Sequence, residues 1–239
     1  MRLVHMTAMR SSVRWSARIR RQNVGSPNEI PLDAVQTTAY VVARCAILLG
    51  ECDNMEIRSL EKEAYAGKRF TARYRTSGYY DIGAFENGFQ IKYTPFEATV
   101  ERSFDDVFFG EWLENPIAFG AFEGEKLLGY VEGSPESWNN RFRISNICVF
   151  DKARRGRGIG TLLMAAIEGV AASLGARMIV LETQSCNEAA IAFYRRNGYQ
   201  IIGFDLYAYS NADPERREVR IEMGKKRICA EKYAVSGEY

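Results

Sequence analysis

The stretch Arg154-Arg-Gly-Arg-Gly-Ile-Gly-Thr161 separates a predicted β-strand, Phe142–Phe150, from the strongest helical pattern in the chain. Glycine lets a backbone approach a ligand closely, and the free N–H groups at a helix start carry partial positive charge. Three arginines add full charges to the same turn. A diphosphate suits this combination better than a singly charged group does. The sequence therefore predicts an anion site between a strand and a helix.

The helix after this turn is predicted from apolar residues at steps of three and four, which place them on one face. They are Ile159, Leu162, Leu163, Ala166, Ile167, Val170 and Leu174. Gly175 follows, where a glycine commonly ends a helix. The next apolar run, Met178–Leu181, is typical of a strand covered on both faces. Asn187 can then cap a second helix, Glu188–Asn197, which Gly198 ends.

Two hairpins are predicted ahead of the glycine-rich turn. Ile117–Phe122 and Leu127–Glu132 flank the turn Glu123-Gly-Glu125, and a second turn at Asn139–Asn140 leads into Phe142–Phe150. Because short turns join these strands, we expect three adjacent antiparallel strands.

Further strands are predicted near both ends of this region, at Met55–Arg58, Tyr199–Tyr209 and Glu218–Met223. After the first of them, a polar stretch through the seventies is predicted to be helical or irregular. The order of elements is that of an α/β domain.

Composition excludes several kinds of site. The chain has 239 residues, enough for one domain or for one domain with an appendage. Its lone histidine, His5, leaves residues 6–239 without a Ser-His-Asp triad or a two-histidine metal site. The five cysteines are odd in number and never spaced C-x-x-C, which indicates reduced thiols of an intracellular protein rather than zinc ligands. No metal and no Walker-type nucleotide site are predicted.

Positive charge is concentrated at the start of the chain. Residues 1–28 carry six arginines and no acid, whereas residues 55–239 carry 25 basic and 26 acidic side chains. The body is therefore not expected to bind nucleic acid. The basic start admits three interpretations: a transit peptide, a nucleic-acid or membrane arm, or a disordered or non-native extension ahead of a natural start at Met55. The last is favoured. The apolar run 39–49 is too short for a bilayer, so no membrane span is predicted.

A dinucleotide-binding fold is the first alternative for the glycine-rich turn. Gly156-x-Gly158-x-Gly160, with Glu182 at the end of the next strand, resembles a Rossmann fingerprint. Residue 161, however, is a threonine where the third glycine is expected, and only 57 residues follow Glu182. Hairpins also precede the turn, whereas a Rossmann unit normally opens its domain. These departures disfavour a dinucleotide site.

Two motifs together resemble the GNAT superfamily of acyl-CoA-dependent N-acetyltransferases. They are Arg155-x-x-Gly158-x-Gly160 and Asn187-x-x-Ala190-x-x-x-Tyr194-x-x-x-Gly198-Tyr199. Within the superfamily, the segments Glu136–Asn139, Leu181–Gln184 and Gly203–Tyr209 are similar to the streptothricin acetyltransferase group. The resemblance covers residues 55–225 and leaves 1–54 as an extension and 226–239 as a C-terminal tail.

This resemblance implies a fold and a reaction. The fold is α/β (α+β), a GNAT-like mixed and largely antiparallel sheet with a central β-α-β unit that binds acyl-CoA. The reaction is transfer of acetyl from the cosubstrate acetyl-CoA to a primary amine of a cationic small molecule, with streptothricin-type antibiotic resistance as one role. A cytoplasmic enzyme without nucleic-acid or membrane partners is expected, and a homodimer stays open. The alternatives are a protein or peptide N-acetyltransferase and a non-catalytic acyl-CoA-binding sensor.

The resemblance also assigns residues. The two strands around the helix splay apart in this fold, and the pantetheine arm lies in the gap. Residues implied to bind acetyl-CoA are Ile147, Cys148, Val149, Arg155, Gly156, Arg157, Gly158, Gly160, Thr161 and Asn187. Tyr194 would protonate the departing thiolate as a general acid.

A base must remove a proton from the amine, because an alkylammonium is only about one part in a thousand deprotonated at pH 7. Related sequences often carry an acid in the strand before the glycine-rich turn, where this chain has Ser145-Asn146. The identity of the base is therefore open. The candidates are Glu132, Glu136, Glu182 and Asp205.

The acceptor amine has its own sequence signature. Residues 81–114 contain eight acids against Lys92 and Arg102, a charge that would attract a polycationic amine. Aromatic residues interleave with the acids and could wall a pocket: Tyr79, Tyr80, Phe85, Phe89, Tyr93 and Phe96. An acidic outer face over an aromatic core explains the same pattern equally well.

Overall fold

The computed structural model describes residues 55–150 and 156–226, which contain nine strands and four helices. The strands are β1 (Met55–Ser59), β2 (Arg69–Phe85), β3 (Gly88–Val107), β4 (Ile117–Glu123), β5 (Lys126–Glu136), β6 (Arg141–Val149), β7 (Met178–Gln184), β8 (Gln200–Asp205) and β9 (Arg220–Lys226). The helices are α1 (Lys62–Tyr65), α2 (Ile159–Ser173), α3 (Glu188–Arg196) and α4 (Asp213–Arg216). Predictions for residues 1–54, 151–155 and 227–239 lie outside the described residues.

Seven strands form one sheet in the order β1-β4-β5-β6-β7-β9-β8. All neighbours in it are antiparallel except β6 and β7, which run parallel and are joined through α2. The predicted fold class, a mixed and largely antiparallel sheet with a central β-α-β unit, is confirmed. The predicted hairpins around Gly124 and Asn140 are also present, and both of these turn residues have positive φ.

Helix α2 packs its apolar face on strands β4, β5 and β6. Leu163 and Ile167 are fully buried there, as the three- and four-residue spacing predicts. Gly175 follows the helix with a φ of +73°, the left-handed conformation that glycine adopts most easily. Burial of this face holds the start of the helix against the sheet.

Strands β6 and β7 separate part-way along their length. They pair only from Arg141–Met178 to Ile144–Leu181. At Ser145 the register of β6 against β5 shifts by one residue, and β6 then stays paired with β5 through Val149. The ends of β6 and β7 therefore diverge, and a gap opens between them.

The stretch after β1 differs from the prediction. Instead of a helical or irregular segment through the seventies, β2 and β3 form a long two-stranded antiparallel sheet. Ala72, Tyr74 and Thr76 are buried while Arg73 and Arg75 between them are exposed. This alternation is the period of a strand, and the polar residues at every second position hid it. Only the four residues of α1 are helical in this part of the chain.

The last two strands have different ends from those predicted. Strand β8 stops at Asp205, whose Oδ1 accepts a hydrogen bond from the Tyr207 N–H at 3.0 Å and forms a turn. Strand β9 begins at Arg220 and runs on to Lys226. Among the helices of the described residues, none is long and apolar enough to span a membrane.

Candidate functional site

A cavity of about 930 Å³ occupies the gap between the diverging ends of β6 and β7. The start of α2, one side of α3 and the base of the β2–β3 hairpin close its other sides. Its lining includes Ser145, Asn146, Ile147, Cys148, Val149, Gly156, Gly158, Gly160, Thr161, Glu182, Asn187 and Tyr194. Most of the side chains expected to meet acetyl-CoA therefore surround one space.

The glycine-rich turn presents a bare backbone to this cavity. Gly156 and Gly158 have φ values of +84° and +81°, and Gly158 is the N-cap of α2. A Cβ added to either glycine would meet no atom within 4 Å, so open space lies beside the backbone. The first turn of α2 holds no acid. Free N–H groups and the positive end of the helix therefore face a space that an anionic group can fill.

One predicted arginine is placed differently from these glycines. Arg157 is exposed and does not line the cavity. Arg155 lies outside the described residues. Further into the turn, Gly160 packs against α3, since a Cβ added there would lie 3.2 Å from the ring of Phe193. This close contact between α2 and α3 leaves no room for a larger side chain.

One edge of β6 has no strand partner in β7 along the cavity. Val131 and Ile147 are partners in the β5–β6 ladder, whereas the pairing of β6 with β7 ends at Ile144. Peptide groups beyond Ile144 on that edge are the kind that a pantetheine amide can pair with. The side chain of Asn187 caps α3 by accepting from the Ala190 N–H at 3.3 Å. The predicted N-cap is confirmed, and Asn187 also lines the cavity.

Tyr194 lies on the buried side of α3 and lines the cavity, with 7% of its surface exposed. Burial, with a smaller effect of the nearby Cys148, raises the pKa of its hydroxyl above the ordinary value. The phenol is therefore protonated at neutral pH and able to donate a proton. Neither Cys148 nor Cys186 forms a disulfide.

Comparison with known proteins agrees with this geometry. The family model described as "Acetyltransferase (GNAT) family" matches residues 85–199. N-alpha-acetyltransferase 30 of Schizosaccharomyces pombe is 35% identical over 114 residues, which are 43% of this chain and 74% of that protein. The chain belongs to the GNAT acetyltransferase family.

Two further relatives extend the similarity of this acetyltransferase. A streptothricin acetyltransferase of Streptomyces lavendulae is 29% identical over 163 residues, 64% of this chain and 85% of that protein. The crystal structure of a nourseothricin acetyltransferase has a TM-score of 0.59 and 26% identity, and covers 72% of this chain and 98% of that one. The predicted resemblance is confirmed. The acetyltransferase is an acyl-CoA-dependent N-acetyltransferase, and its cosubstrate is acetyl-CoA.

The carboxylates proposed as bases lie in different environments. Glu182 lines the cavity of the acetyltransferase, with Oε2 3.7 Å from Nη1 of Arg143 and 3.6 Å from Nη1 of Arg220. Asp205 is exposed, lies outside the cavity and faces Nη2 of Arg220 at 3.5 Å. The structure therefore brings Glu182 to the site, but not Asp205.

Glu136 also lies outside the cavity. Its Oε1 accepts from Nε of Arg143 at 2.6 Å, and its Oε2 accepts from Nε of Arg141 at 2.9 Å. Burial alone would raise the pKa of Glu136, but the hydrogen bond and charge of Arg143 outweigh it and lower that pKa. A carboxylate held by two guanidinium groups stabilises the sheet and cannot reach an amine in the cavity. The expected catalytic role of Glu136 therefore has no support in the structure.

One wall of the cavity of the acetyltransferase is built by the hairpin of β2 and β3. Of the eight acids at residues 81–114, all of which the structure describes, only Asp106 lines the cavity. Arg73 and Phe104 stand with it on the hairpin, and Tyr209 lies across from them beside Glu182. Arg73 and Phe104 were not predicted, because the strand period that places them was not recognised.

The aromatic residues expected to wall the pocket are elsewhere. Tyr79 and Phe96 stack on each other with ring centroids 5.2 Å apart, and Phe89 packs on Phe204 of β8 at 4.9 Å. None of the six predicted aromatic residues, all of them described, lines the cavity. This corrects the expectation of an aromatic pocket wall; Tyr79 is buried, whereas Phe85, Phe89 and Tyr93 are exposed.

Proposed function

We propose that the enzyme transfers an acetyl group to a primary amine of a small cationic molecule of the streptothricin type. The carrying observation is the lining of the cavity, where Asp106 and Glu182 contribute carboxylates and Phe104 and Tyr209 contribute aromatic rings, beside the single guanidinium of Arg73 on the hairpin. Carboxylates and aromatic faces both attract an ammonium group. The Streptomyces lavendulae and nourseothricin relatives support the same substrate class.

The opposite side of the cavity fits acetyl-CoA. We assign the pyrophosphate to the N–H groups from Gly156 to Thr161, and the pantetheine arm to the edge of β6 beyond its pairing with β7, from Ile147 to Val149. Arg155 is assigned to the pyrophosphate by the family motif alone. Acetyl-CoA supplies the thioester, whose carbonyl carbon the amine nitrogen attacks.

Tyr194 completes the transfer. As the amine adds and the carbon–sulfur bond breaks, the Tyr194 hydroxyl donates its proton to the sulfur, and the departing group leaves as a neutral thiol. The high pKa of this buried phenol keeps the proton available, and proton transfer from solvent restores it. Both reactants occupy the cavity together, so the mechanism needs no acetylated enzyme.

A peptide amine is the second candidate acceptor. The observation that favours it is the 35% identity to N-alpha-acetyltransferase 30. A peptide N-terminus enters a groove as an extended chain, whereas a compact cation binds to carboxylates on one wall. The carboxylates of Asp106 and Glu182 in the cavity lining favour the small cation.

A turnover screen tests the proposal. Thiol release from acetyl-CoA is followed with streptothricin, an aminoglycoside, spermidine and a peptide with a free N-terminus. We expect the highest kcat/KM with streptothricin, and expression in a susceptible bacterium should raise the inhibitory concentration of the drug. A preference for the peptide would replace the proposed acceptor class. Release that does not depend on any amine would refute amine transfer.

A further inference from the structure

The strand before the glycine-rich turn lacks a carboxylate at Ser145-Asn146, but the neighbouring strand supplies one. Glu132 on β5 is the direct ladder partner of Asn146 on β6. Side chains of directly opposed residues stand on the same face of an antiparallel pair. Glu132 therefore stands beside the position where an acid is absent.

Glu132 is completely buried, with none of its surface exposed. Its Oε2 accepts a hydrogen bond from the Phe109 N–H at 2.7 Å, while its Oε1 has no hydrogen-bond partner among the described residues. A buried carboxylate oxygen without a partner is costly and rare in a structural role. The free oxygen is thus an acceptor that the fold itself does not use.

The backbone segment that donates a hydrogen bond to Glu132 is strained. Phe109 has a φ of +55°, a left-handed conformation that is unfavourable for a bulky residue. The strained turn aims the Phe109 N–H at Glu132. Strained backbone conformations cluster at functional sites, where surrounding structure maintains them.

The surroundings of Glu132 reach the cavity through three residues. Asp106, Ser145 and Asn146 all line it, and the Asn146 amide donates to Oδ2 of Asp106 at 3.0 Å. The Ser145 Oγ is buried and has no partner among the described residues. Because Ser145 is the residue at which the register shifts, its hydroxyl lies at the point where β6 leaves β7. The Ser145 hydroxyl and the Glu132 Oε1 are thus both buried without a partner in the described part of the chain, and a bridging water molecule would satisfy them.

The buried position of Glu132 and its titratable neighbours together favour its protonated form. Burial is the main cause that raises its pKa to about 7, Asp106 adds to the shift, and the N–H groups of Phe109 and Gly110 oppose it. The other titratable neighbours are Tyr130 on the same strand and Cys148 on β6, which form one electrostatic cluster with Glu132 and Asp106. On β4 the ladder partner is Ala118, which has no charge.

We propose that Glu132 accepts the proton of the substrate amine through one water molecule held beside Ser145. This inference rests on the proposed amine transfer. The ammonium N–H bond breaks and its proton moves to the water, whose own proton moves to Oε1 of Glu132. The nitrogen lone pair that is released attacks the thioester carbonyl, the carbon–sulfur bond breaks, and Tyr194 protonates the sulfur. The nitrogen releases its second proton to solvent as the amide forms. Glu132 then returns its proton to solvent before the next cycle.

The other three carboxylates are less suited to this task. Glu132 does not line the cavity itself, but its ladder partner Asn146 does, and no arginine of the described ranges holds it. Glu136 and Asp205 also lie outside the lining, and arginines face both of them. Glu182 lines it, but the guanidinium groups of Arg143 and Arg220 lie within 4 Å of its oxygens. We assign Glu182 to attraction of the cationic substrate.

The test compares Glu132→Gln with Glu136→Gln, the same substitution on the same strand. For the wild type, kcat/KM with the amine should rise with pH along a limb centred near 7, because Glu132 must be ionised to accept a proton. Glu132→Gln should lower kcat by about 100-fold and abolish this limb. Its Kd for acetyl-CoA should be unchanged. Glu136→Gln should keep both kcat and the limb.

An infrared titration gives a readout without turnover. A protonated-carboxyl band should disappear in the wild type as pH rises through about 7 and be absent from Glu132→Gln. If Glu132→Gln does not fold, Asp106→Asn provides the test, since loss of the Asp106 charge should shift the limb to lower pH. Glu132→Gln with kcat within about threefold of wild type and an unchanged limb would overturn the proposal, as would an unmoved limb in Asp106→Asn. A wild type that transfers acetyl to none of the amines would refute the proposed function first, and this inference with it.

Discussion

Gly158 and Gly175 bracket helix α2 with the same backbone conformation, a φ of +81° before its first residue and of +73° after its last turn. A Cβ on either glycine would meet no atom within 4 Å. The two positions thus share their steric surroundings, but only Gly158 lines the cavity.

Alanine at these glycines should separate binding from stability. Gly158→Ala and Gly175→Ala should each lower the free energy of unfolding by about 1 kcal/mol, because an L side chain is strained at such φ. Only Gly158→Ala should raise the Kd for CoA in calorimetry, by about tenfold, since its methyl group enters the space assigned to the phosphates. Equal CoA affinity in both variants would show that this turn does not bind the pyrophosphate.

Removal of the Tyr194 hydroxyl should impair chemistry and not binding. Tyr194→Phe should lower kcat by about 100-fold, because the thiolate must then leave without a proton. The Kd for acetyl-CoA should stay within about twofold of wild type. Tyr199→Phe is the matched control, since that buried hydroxyl donates to Glu168 at 2.9 Å and lies outside the cavity lining. A normal kcat in Tyr194→Phe would assign the proton donor elsewhere.

Adjacent acids on β3 provide a test of the acceptor wall. Asp106 lines the cavity, whereas Asp105 is exposed and accepts from Oγ1 of Thr71 at 2.6 Å. Measured above pH 8, Asp106→Asn should raise the KM for a polycationic amine by about tenfold, and Asp105→Asn should leave it within about twofold. The effect of Asp106→Asn should shrink at high salt. Equal KM values for both variants would argue against a carboxylate on this wall.

Glu136 should contribute to stability alone. Glu136→Gln should lower the free energy of unfolding at pH 7 by about 2 kcal/mol, since it leaves Arg141 and Arg143 without their shared carboxylate. The folded pKa of this acid is lowered, so the stabilisation is present above the unfolded value of 4.5 and is lost as pH falls through the folded pKa. Urea unfolding at several pH values measures it. A lower kcat in Glu136→Gln would instead show that Glu136 takes part in catalysis.

Glu132 should show the opposite dependence of stability on pH. Its folded pKa of about 7 exceeds the unfolded value of 4.5, so the native state binds the extra proton between these values and wild-type stability falls as pH rises through them. Glu132→Gln cannot ionise. Its free energy of unfolding relative to wild type should therefore rise by about 3 kcal/mol from pH 4 to pH 8. Parallel urea curves at all pH values would contradict a buried, titrating Glu132.

The β6–α2–β7 unit could be predicted from sequence because its signals are local. Apolar spacing, the cap at Asn187 and the glycines at 175 and 198 each act within a few residues of their own helix. The β2–β3 hairpin could not, because polar residues fill its exposed positions and its buried ones pack on distant elements. Tyr74, for example, donates to Oε1 of Gln184, 110 residues away, at 2.7 Å.

The carboxylates also show that contacts between distant parts of the chain cannot be predicted from local sequence. Nothing in the local sequence separates Glu132 from Glu136, four residues apart on one strand. Their roles depend on what the other elements bring to them: a strained turn at Phe109 to one, and two arginines of β6 to the other. Acids are usually exposed, so a fully buried one is recognisable only when the fold is known.

The division of the cavity between two sheets bears on how the enzyme can acquire new acceptors. In the proposed assignment the coenzyme binds at the crossover of the large sheet, while part of the acceptor wall is carried by β2 and β3, which pair as strands only with each other. Residues on the hairpin could then be exchanged without rebuilding the thioester end. A change of acceptor, in evolution or in the laboratory, would start from Arg73, Phe104 and Asp106.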